Sequence, residues 1–278
     1  HLSKIIRELE RDLGCPIFDR TSRGMIPTVR GEEFLRYAKG IMEQEAQLDK
    51  LCSRNKECPR EIRLCGPRAS YISSTLKNFL KEDDRLFTTN VRYKETNSKD
   101  VVRLVSSKEF DLGIVRCQVL YEPFFLKMIQ DEHLDSKVLW QFSPKVLMSP
   151  SHPLAGKEPL DHLDFSQSVE LLQGDIQYPS FTPENTDCVL PDSDPRHTIY
   201  IYDRGSQYEF LRHLPGAYMW TSPVPYSTLT EAKLIQRECT RPDNIFKDLL
   251  VCRSNYRLSK AETELTQWLG RTISQLSD

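Results

Sequence analysis

The first 31 residues of the chain combine basic and small polar side chains at spacings that suit contacts with phosphates. Lys4 and Arg7 lie on one face of a predicted helix whose other face carries leucine and isoleucine. A glycine ends the helix, and a polar turn with Arg20 and Arg23 joins the two short extended segments that follow. A helix followed by a small hairpin with a basic tip can enter a nucleic acid groove and contact the flanking phosphates.

The same segment is similar to the start of the LysR-type transcriptional regulators, whose pattern there is LSRxIxxLExxLGxxLFxRxxRxxxLTxAGxxLL. Lys4 stands where the family has arginine, and Ile17 stands where it has leucine. The residues that match directly are Leu2, Ser3, Ile6, Leu9, Glu10, Leu13, Gly14, Phe18, Arg20, Arg23, Thr28 and Gly31.

The resemblance implies a winged helix-turn-helix that binds double-stranded DNA through a recognition helix and a wing. Arg20 has an alternative role in a structural salt bridge with Asp19 or Glu10. The chain begins inside the segment that matches the recognition helix, so we expect a truncated domain that needs the preceding helices to bind DNA. The residues expected to contact DNA are Ser3, Lys4, Arg7, Arg20, Ser22, Arg23 and Thr28.

Composition places the chain among ordinary globular proteins. Its 278 residues carry 38 Lys and Arg against 40 Asp and Glu, a formal net charge of −2. Bulk charge therefore does not favour coating nucleic acid, although a local basic surface can still read DNA. No apolar run reaches the roughly 18–20 residues of a membrane span, and no secretion signal is recognised. We expect a cytoplasmic protein with no membrane partner.

A linker helix is predicted after the hairpin, with Thr28 as its N-cap and acidic residues in its first turn. Its apolar residues alternate at spacings of three and four, as in a short coiled coil. We expect a dimerising helix, with packing on its own domain as the alternative, and the resemblance implies a homodimer or homotetramer. The predicted seam consists of Phe34, Tyr37, Ile41, Gln44, Leu48 and Leu51.

From residue 60 onward, short apolar strands alternate with amphipathic helices, a pattern typical of parallel α/β units. The runs EFDLGIV and SPSHPLAG also resemble the family, which implies an effector-binding domain of two Rossmann-like subdomains, of the periplasmic-binding-protein type. The segment 118–132 is longer than is usual in the family, and we predict no secondary structure for 176–195. The expected domains are a partial winged helix-turn-helix (1–31), the linker helix (28–55), and an effector domain (60–278) with subdomain I at 60–141 and 244–278 and subdomain II at 142–243.

In open α/β folds, ligands bind outside the carboxyl ends of strands, beside helix N-termini. That rule and the resemblance indicate the same effector-contacting positions. Arg68 and Arg116 favour an organic acid, because guanidinium binds carboxylate through paired hydrogen bonds. The expected contacts are Arg68, Ala69, Ser70, Tyr71, Thr96, Asn97, Arg116, Gln173, Gly174, Asp203 and Arg204, with Asp175 next to them.

Six of these positions have a structural alternative. Both arginines can be solvated or structural residues at strand ends, and Ser70 is more simply the N-cap of the next helix. Asp203 and Arg204 can pair with each other. Tyr71 can line the cleft or pack beneath it.

Signatures of catalysis are missing: GxSxG, HExxH and a phosphate-binding glycine loop do not occur. No cysteine or histidine has zinc-site spacing, so we expect no enzyme activity, no cofactor and no metal. Cys65, Cys117 and Cys252 fit small buried apolar residues, and a redox pair of Cys188 and Cys239 is the less favoured alternative. The rival functions are a stand-alone solute-binding module without DNA binding and an α/β enzyme that uses the cleft.

Overall fold

The computed structural model of the chain describes residues 6, 9–11, 13–21, 24–52, 60–82, 85–175, 197–240 and 245–277. The chain divides into two compact units, His1–Cys58 and Pro59–Asp278. In the first unit, strands β1 (Phe18–Thr21) and β2 (Gly24–Pro27) form an antiparallel hairpin, and helix α1 (Val29–Cys52) follows.

The hairpin is tied to the residues before and after it. The Glu10 carboxylate accepts hydrogen bonds from the backbone N–H groups of Ile17 and Phe18 at 2.8 and 3.0 Å. A Cβ at Gly31 would lie 1.9 Å from the carbonyl oxygen of Ile17, so α1 reaches the hairpin only with glycine there. Thr28 is the N-cap of α1, as the sequence predicts, because its Oγ1 accepts the Gly31 N–H at 2.9 Å.

Helix α1 carries exposed apolar side chains. Tyr37, Ile41 and Met42 are 63%, 66% and 69% exposed. Tyr37 and Ile41 belong to the predicted seam, whereas the side chains of Leu48 and Leu51 lie outside the described residues. Tyr37 and Ile41, one helical turn apart, form an apolar stripe that the described part of the chain leaves accessible.

The second unit contains a first mixed sheet, with the strand order β4-β3-β5-β12-β6. Strand β3 pairs in parallel with β4 and β5, whereas β12 pairs antiparallel with β5 and β6. The chain therefore returns to this sheet after building the second one. The strands are β3 (Arg60–Gly66), β4 (Thr89–Glu95), β5 (Leu112–Gln118), β6 (Leu134–Phe142) and β12 (Phe246–Arg253).

Helices cover both faces of this sheet, because buried strands present apolar side chains alternately to either side. On one face, α2 and α8 pack over Ile62 and Leu64. On the other face, α4 and α5 pack over Cys65 and Val115. The helices are α2 (Ser70–Lys81), α3 (Arg85–Thr88), α4 (Ser98–Ser106), α5 (Glu122–Asp131) and α8 (Lys260–Ser277).

The second sheet has the order β11-β7-β10-β8-β9, in which β8 is parallel to both β9 and β10. Leu171 and Leu211 lie in the core on one face, and Phe165 and Tyr218 lie in the core on the other. The elements are β7 (Lys145–Met148), a 3-10 helix (His162–Gln167), β8 (Val169–Gln173), β9 (Thr198–Ile201), α6 (Arg204–His213), β10 (Ala217–Thr221), α7 (Tyr226–Ala232) and β11 (Ile235–Arg237).

The two-subdomain α/β fold agrees with the sequence-based expectation, but three details differ. Both sheets are mixed rather than purely parallel, since β7 and β12 run against their neighbours. The long segment 118–132 holds a 3-10 turn and α5, which supplies Phe125 and Ile129 to the core. Helix α7 and strand β11 were not predicted from the sequence pattern. The segment 176–195 lies outside the described residues.

Within the described ranges, no helix combines the length and the apolar character that crossing a membrane requires.

Candidate ligand-binding cleft

The carboxyl ends of two parallel strand pairs supply the residues of the candidate site. In subdomain I, Gly66 at the end of β3 is in register with Glu95 at the end of β4. In subdomain II, Gln173 at the end of β8 is in register with Ile201 at the end of β9. Polar side chains at or just after these four strand ends meet across the two subdomains, where open α/β folds bind ligands.

Arg68, which follows β3, reaches into subdomain II. Its Nη1 lies 2.5 Å from Oδ1 of Asp175, which follows β8. Its Nη2 donates a hydrogen bond to the carbonyl oxygen of Tyr202 at 2.7 Å. The Arg68 side chain is only 10% exposed, so this pair is partly shielded from water and stronger than a surface salt bridge.

Arg204 makes the reciprocal contacts from subdomain II to subdomain I. Its Nη2 lies 2.5 Å from Oε1 of Glu95, and its Nη1 donates to Oγ of Ser73 at 2.9 Å. The alternative pairing with Asp203 is therefore wrong. Asp203 instead caps α6, with its Oδ1 accepting the Ser206 N–H at 2.8 Å.

Ser70 and Tyr208 add a further polar contact, with 2.6 Å between Oγ and the phenolic oxygen. The predicted N-cap role of Ser70 is wrong, because Ala69 occupies the N-cap position and Ser70 is the first helical residue. Lys77 and Glu231 form a looser ion pair between α2 and α7, at 3.6 Å, with both side chains exposed.

Arg116 is engaged inside subdomain I. Its Nε and Nη2 donate to the two oxygens of Asp248 at 2.8 and 2.7 Å. Asp248 is fully buried and also accepts hydrogen bonds from Tyr71 and Trp140, at 2.8 and 3.2 Å. Arg116 thus takes the structural role that was its alternative to ligand binding. The carboxylate that it binds is the side chain of Asp248.

Electrostatics reinforce this buried cluster. Burial alone would lower the pKa of Arg116, but the charge and hydrogen bonds of Asp248 offset it, and the pKa is raised. Burial and then the Asp248 charge raise the pKa of Tyr71 well above its usual value. Tyr71 is 0% exposed, so of its two predicted positions it takes the one beneath the cleft.

The remaining predicted effector contacts serve mainly to shape the strand ends. Asn97 caps α4, accepting the Asp100 N–H at 2.9 Å, and Thr96 donates to the Asp100 carboxylate at 3.2 Å. A Cβ at Gly174 would lie 2.4 Å from the exposed Tyr202 ring, so a larger residue there would have to displace that ring. Ala69 is 2% exposed, and Gln173 ends β8.

The predicted DNA contacts fall mostly outside the described residues. Ser3, Lys4, Arg7, Ser22 and Arg23 are not described, and Arg20 lies in β1 with its side chain undescribed. The Thr28 hydroxyl is described, and it donates to the carbonyl oxygen of Pro16 at 2.9 Å while capping α1.

Two thiols of subdomain I, those of Cys65 and Cys117, are buried, whereas Cys252 is partly buried. Burial raises the pKa of Cys65 and of Cys117 to about 12, which disfavours the reactive thiolate. Cys188, one half of the alternative redox pair, lies outside the described residues. Among the described side chains, no cluster of three or more His, Cys, Asp or Glu is arranged to hold a metal ion.

Three cleft residues were missed at the sequence level: Glu95, Ser73 and Tyr208. Glu95 ends β4, so the strand-end rule that selected Thr96 could have included it. Tyr208 lies one helical turn after Arg204 and therefore shares its face of α6. Ser73 had no comparable signal, because a serine on an amphipathic helix indicates no function in sequence.

Two family models match the chain. The model described as "Bacterial regulatory helix-turn-helix protein, lysR family" matches residues 1–32, and the "LysR substrate binding domain" model matches residues 85–175.

Two curated relatives illustrate the similarity. The uncharacterized HTH-type transcriptional regulator y4mQ of Sinorhizobium fredii is 32% identical over 134 residues, covering 41% of this chain and 44% of the relative. The regulatory protein NocR of Agrobacterium tumefaciens is 25% identical over 167 residues, covering 59% of this chain and 51% of NocR. The chain spans about half the length of these relatives.

Solved structures share the fold. A full-length OxyR variant from Pseudomonas aeruginosa has a TM-score of 0.52 and 15% identity, covering 98% of this chain and 89% of that one. An OxyR cysteine mutant of Corynebacterium glutamicum has a TM-score of 0.53 and 18% identity, with coverages of 99% and 84%. Residues 1–32 and 85–175 are therefore similar to LysR-family regulatory proteins, and the chain shares its fold with solved structures of such regulators.

Proposed function

We propose that the chain acts in a transcriptional regulator that binds double-stranded DNA through its first unit and a small-molecule effector through its second. The observation that carries the proposal is the meeting of Arg68, Asp175, Glu95 and Arg204 between the subdomains of a LysR substrate-binding fold. An effector that binds one subdomain arrangement better than another shifts the population toward it. Such a shift is the physical basis of an effector-controlled regulator.

DNA binding is assigned to the segment that matches the helix-turn-helix model. The contacts of Glu10 and Gly31 with Ile17 support this proposal, since they hold the β1–β2 hairpin as a rigid wing. Thr28 acts through the hairpin and helix that it joins. Direct contacts with phosphates and bases are proposed for Ser3, Lys4, Arg7, Arg20, Ser22 and Arg23.

The effector cleft is assigned to the facing strand ends, and we propose an organic acid as its ligand. Arg68 supports this choice, because it presents a guanidinium at the strand ends. A carboxylate ligand would have to exchange with Asp175, which holds Arg68 at 2.5 Å. Arg116 is poorly suited to bind the acid, because its Nε and Nη2 already donate hydrogen bonds to Asp248.

The other proposed properties follow from the same fold. The exposed stripe of α1 supports a homodimer, or a homotetramer built from two such dimers. A cytoplasmic location and a role without catalysis fit a DNA-binding regulator. The proposed domains remain 1–31, 28–55 and 60–278, with subdomains 60–141 plus 244–278 and 142–243.

The test is a fluorescence-anisotropy titration of the protein, with any residues that its gene encodes ahead of His1, against DNA from upstream of that gene. We expect specific binding that weakens steeply as salt rises, because phosphate contacts release counterions. Arg23→Ala should weaken binding about tenfold or more at constant salt. Arg36→Ala, in the exposed face of α1, is the matched control and should change little.

If the protein and the Arg23→Ala variant bind all DNA sequences equally weakly, the regulator function is wrong. Ligand binding by the second unit alone would then favour the rival stand-alone solute-binding module.

A further inference from the structure

The charges at the facing strand ends alternate in sign. In subdomain I, Arg68 follows β3 and Glu95 ends the neighbouring β4. In subdomain II, Asp175 follows β8 and Arg204 follows the neighbouring β9. Each cation thus faces an anion of the other subdomain, and each also has an anion on the adjacent strand end. A ligand entering here meets both signs of charge.

The two pairs differ in how firmly each partner is held. Glu95 accepts a hydrogen bond from the Tyr93 hydroxyl at 3.0 Å in addition to the Arg204 ion pair. Arg204 is held by Ser73 as well. Asp175 makes, among its described contacts, only the ion pair with Arg68, and its side chain is 26% exposed. The Arg68–Asp175 pair is therefore the one that a ligand can open at lower cost.

A ligand with a carboxylate alone would pair with the charge of Arg68 but would leave the charge of Asp175 without a partner. The displaced carboxylate would lie beside a second negative charge in a partly buried site, which is unfavourable. Asp203 adds to this repulsion: its pKa is lowered, chiefly by hydrogen bonds from Ser206 and to a smaller extent by Arg68. A cation alone would leave Arg68 unpaired in the same way.

We propose that the cleft binds a zwitterion of the α-amino-acid class, with its carboxylate on Arg68 and its ammonium group on Asp175. Such a ligand inserts into the ion pair and leaves neither charge without a partner, while adding hydrogen bonds at both ends. The Arg68–Asp175 pair then acts as an internal stand-in for the ligand and holds the subdomains together in its absence. This inference rests on the proposed effector cleft and narrows the organic acid to one that also carries an ammonium group.

The test is a thermal-denaturation screen of the 278-residue chain with each of the common L-amino acids. Calorimetric titration of every amino acid that raises the Tm then gives its Kd. For each such amino acid, the deaminated carboxylate and the decarboxylated amine are titrated at equal ionic strength. We expect at least one amino acid to bind, and each truncated analogue to bind about tenfold or more weakly.

Variants separate ligand contact from a general loosening of the subdomains. Asp175→Asn should weaken amino-acid binding about tenfold or more while affecting the deaminated analogue much less. Lys77→Gln is the matched control, because it breaks a different ion pair between the subdomains, the exposed Lys77–Glu231 pair, and should leave the Kd unchanged. Circular dichroism before titration confirms that both variants are folded.

The possible failures are distinguishable. If carboxylates without an amino group bind as tightly as amino acids, the zwitterion proposal is wrong and the effector cleft stands. If Lys77→Gln weakens binding as much as Asp175→Asn, direct contact by Asp175 is wrong. If no amino acid raises the Tm, the ligand class is wrong, and if no small molecule binds at all, the proposed effector function fails with it.

Discussion

Asp248 shows how one residue can decide whether a nearby charge is structural or available to a ligand. Its fully buried carboxylate accepts hydrogen bonds from Arg116, Tyr71 and Trp140. Asp248→Asn removes the counter-charge of Arg116 and keeps the volume nearly constant. We expect the variant to lose about 3 kcal/mol or more of unfolding free energy, because an uncompensated buried cation remains. Urea denaturation followed by circular dichroism measures the loss.

A matched control for this substitution is Glu109→Gln. Glu109 pairs with Arg103 at 3.8 Å, and the side chains are 44% and 58% exposed. Its removal should cost under about 1 kcal/mol, as is usual for surface ion pairs. Equal losses in the two variants would show that the buried cluster contributes no more than a solvated pair.

His152 gives stability a dependence on pH. It is 4% exposed, and its Nδ1 accepts the Leu154 N–H at 3.1 Å, so the folded state holds the neutral ring. Burial lowers the pKa of His152 below its ordinary value. The unfolded chain therefore takes up a proton first, and the free energy of unfolding should fall as pH drops below about 6.5, and stay level above it.

Urea titrations from about pH 5 to about pH 8 can check this prediction for His152, because this range spans the ordinary pKa of histidine. The His152→Gln variant should show a smaller loss of stability at the acidic end than the wild type. His213→Gln, at an exposed position, is the control for the loss of one histidine. A wild-type profile that His152→Gln does not alter would contradict the assignment.

At the level of elements, periodicity and capping signals predicted those helices whose positions depend on local sequence. The amphipathic spacing of residues 70–81 is typical of the helix α2 observed there, and Thr28 was correctly predicted as the N-cap of α1. Helix α5 in the segment 118–132 was not predicted, because Pro123 and the adjacent aromatic residues obscure its helical pattern. Proline is tolerated in the first turn of a helix, and there it stands at the start of α5.

The sequence predicted which residues lie at the strand ends but not which side chains they pair with, since that pairing depends on tertiary contacts. The strand-end rule located Arg68, Arg116 and Arg204, but nothing local distinguishes an arginine in the cleft from one paired with Asp248. That partner lies 132 residues away in β12. The antiparallel entry of β12 into the first sheet, which sets this contact, is likewise a long-range choice that strand propensity does not report.

For the whole molecule, the chain order of the sheets matters for how an effector could act. The chain leaves the first sheet after β6 and returns to it at β12. Opening the Arg68–Asp175 and Arg204–Glu95 pairs would therefore let the subdomains move about these two connections. A ligand that replaces one internal ion pair by its own charges changes the balance between such arrangements, which any regulator of this design requires.

Helix α1 carries the surface on which the proposed dimer would form. Exposed Tyr37 and Ile41, one helical turn apart, form a stripe on α1 that a second copy of the helix could cover. Ile41→Asp would put a charge into that interface, and we expect it to raise the dimer dissociation constant about tenfold or more. Sedimentation velocity over a concentration series measures the constant. Glu43→Gln, at an exposed polar position of the same helix, should leave it unchanged, whereas a wild-type chain that stays monomeric at all concentrations would rule out this helix as the dimer interface.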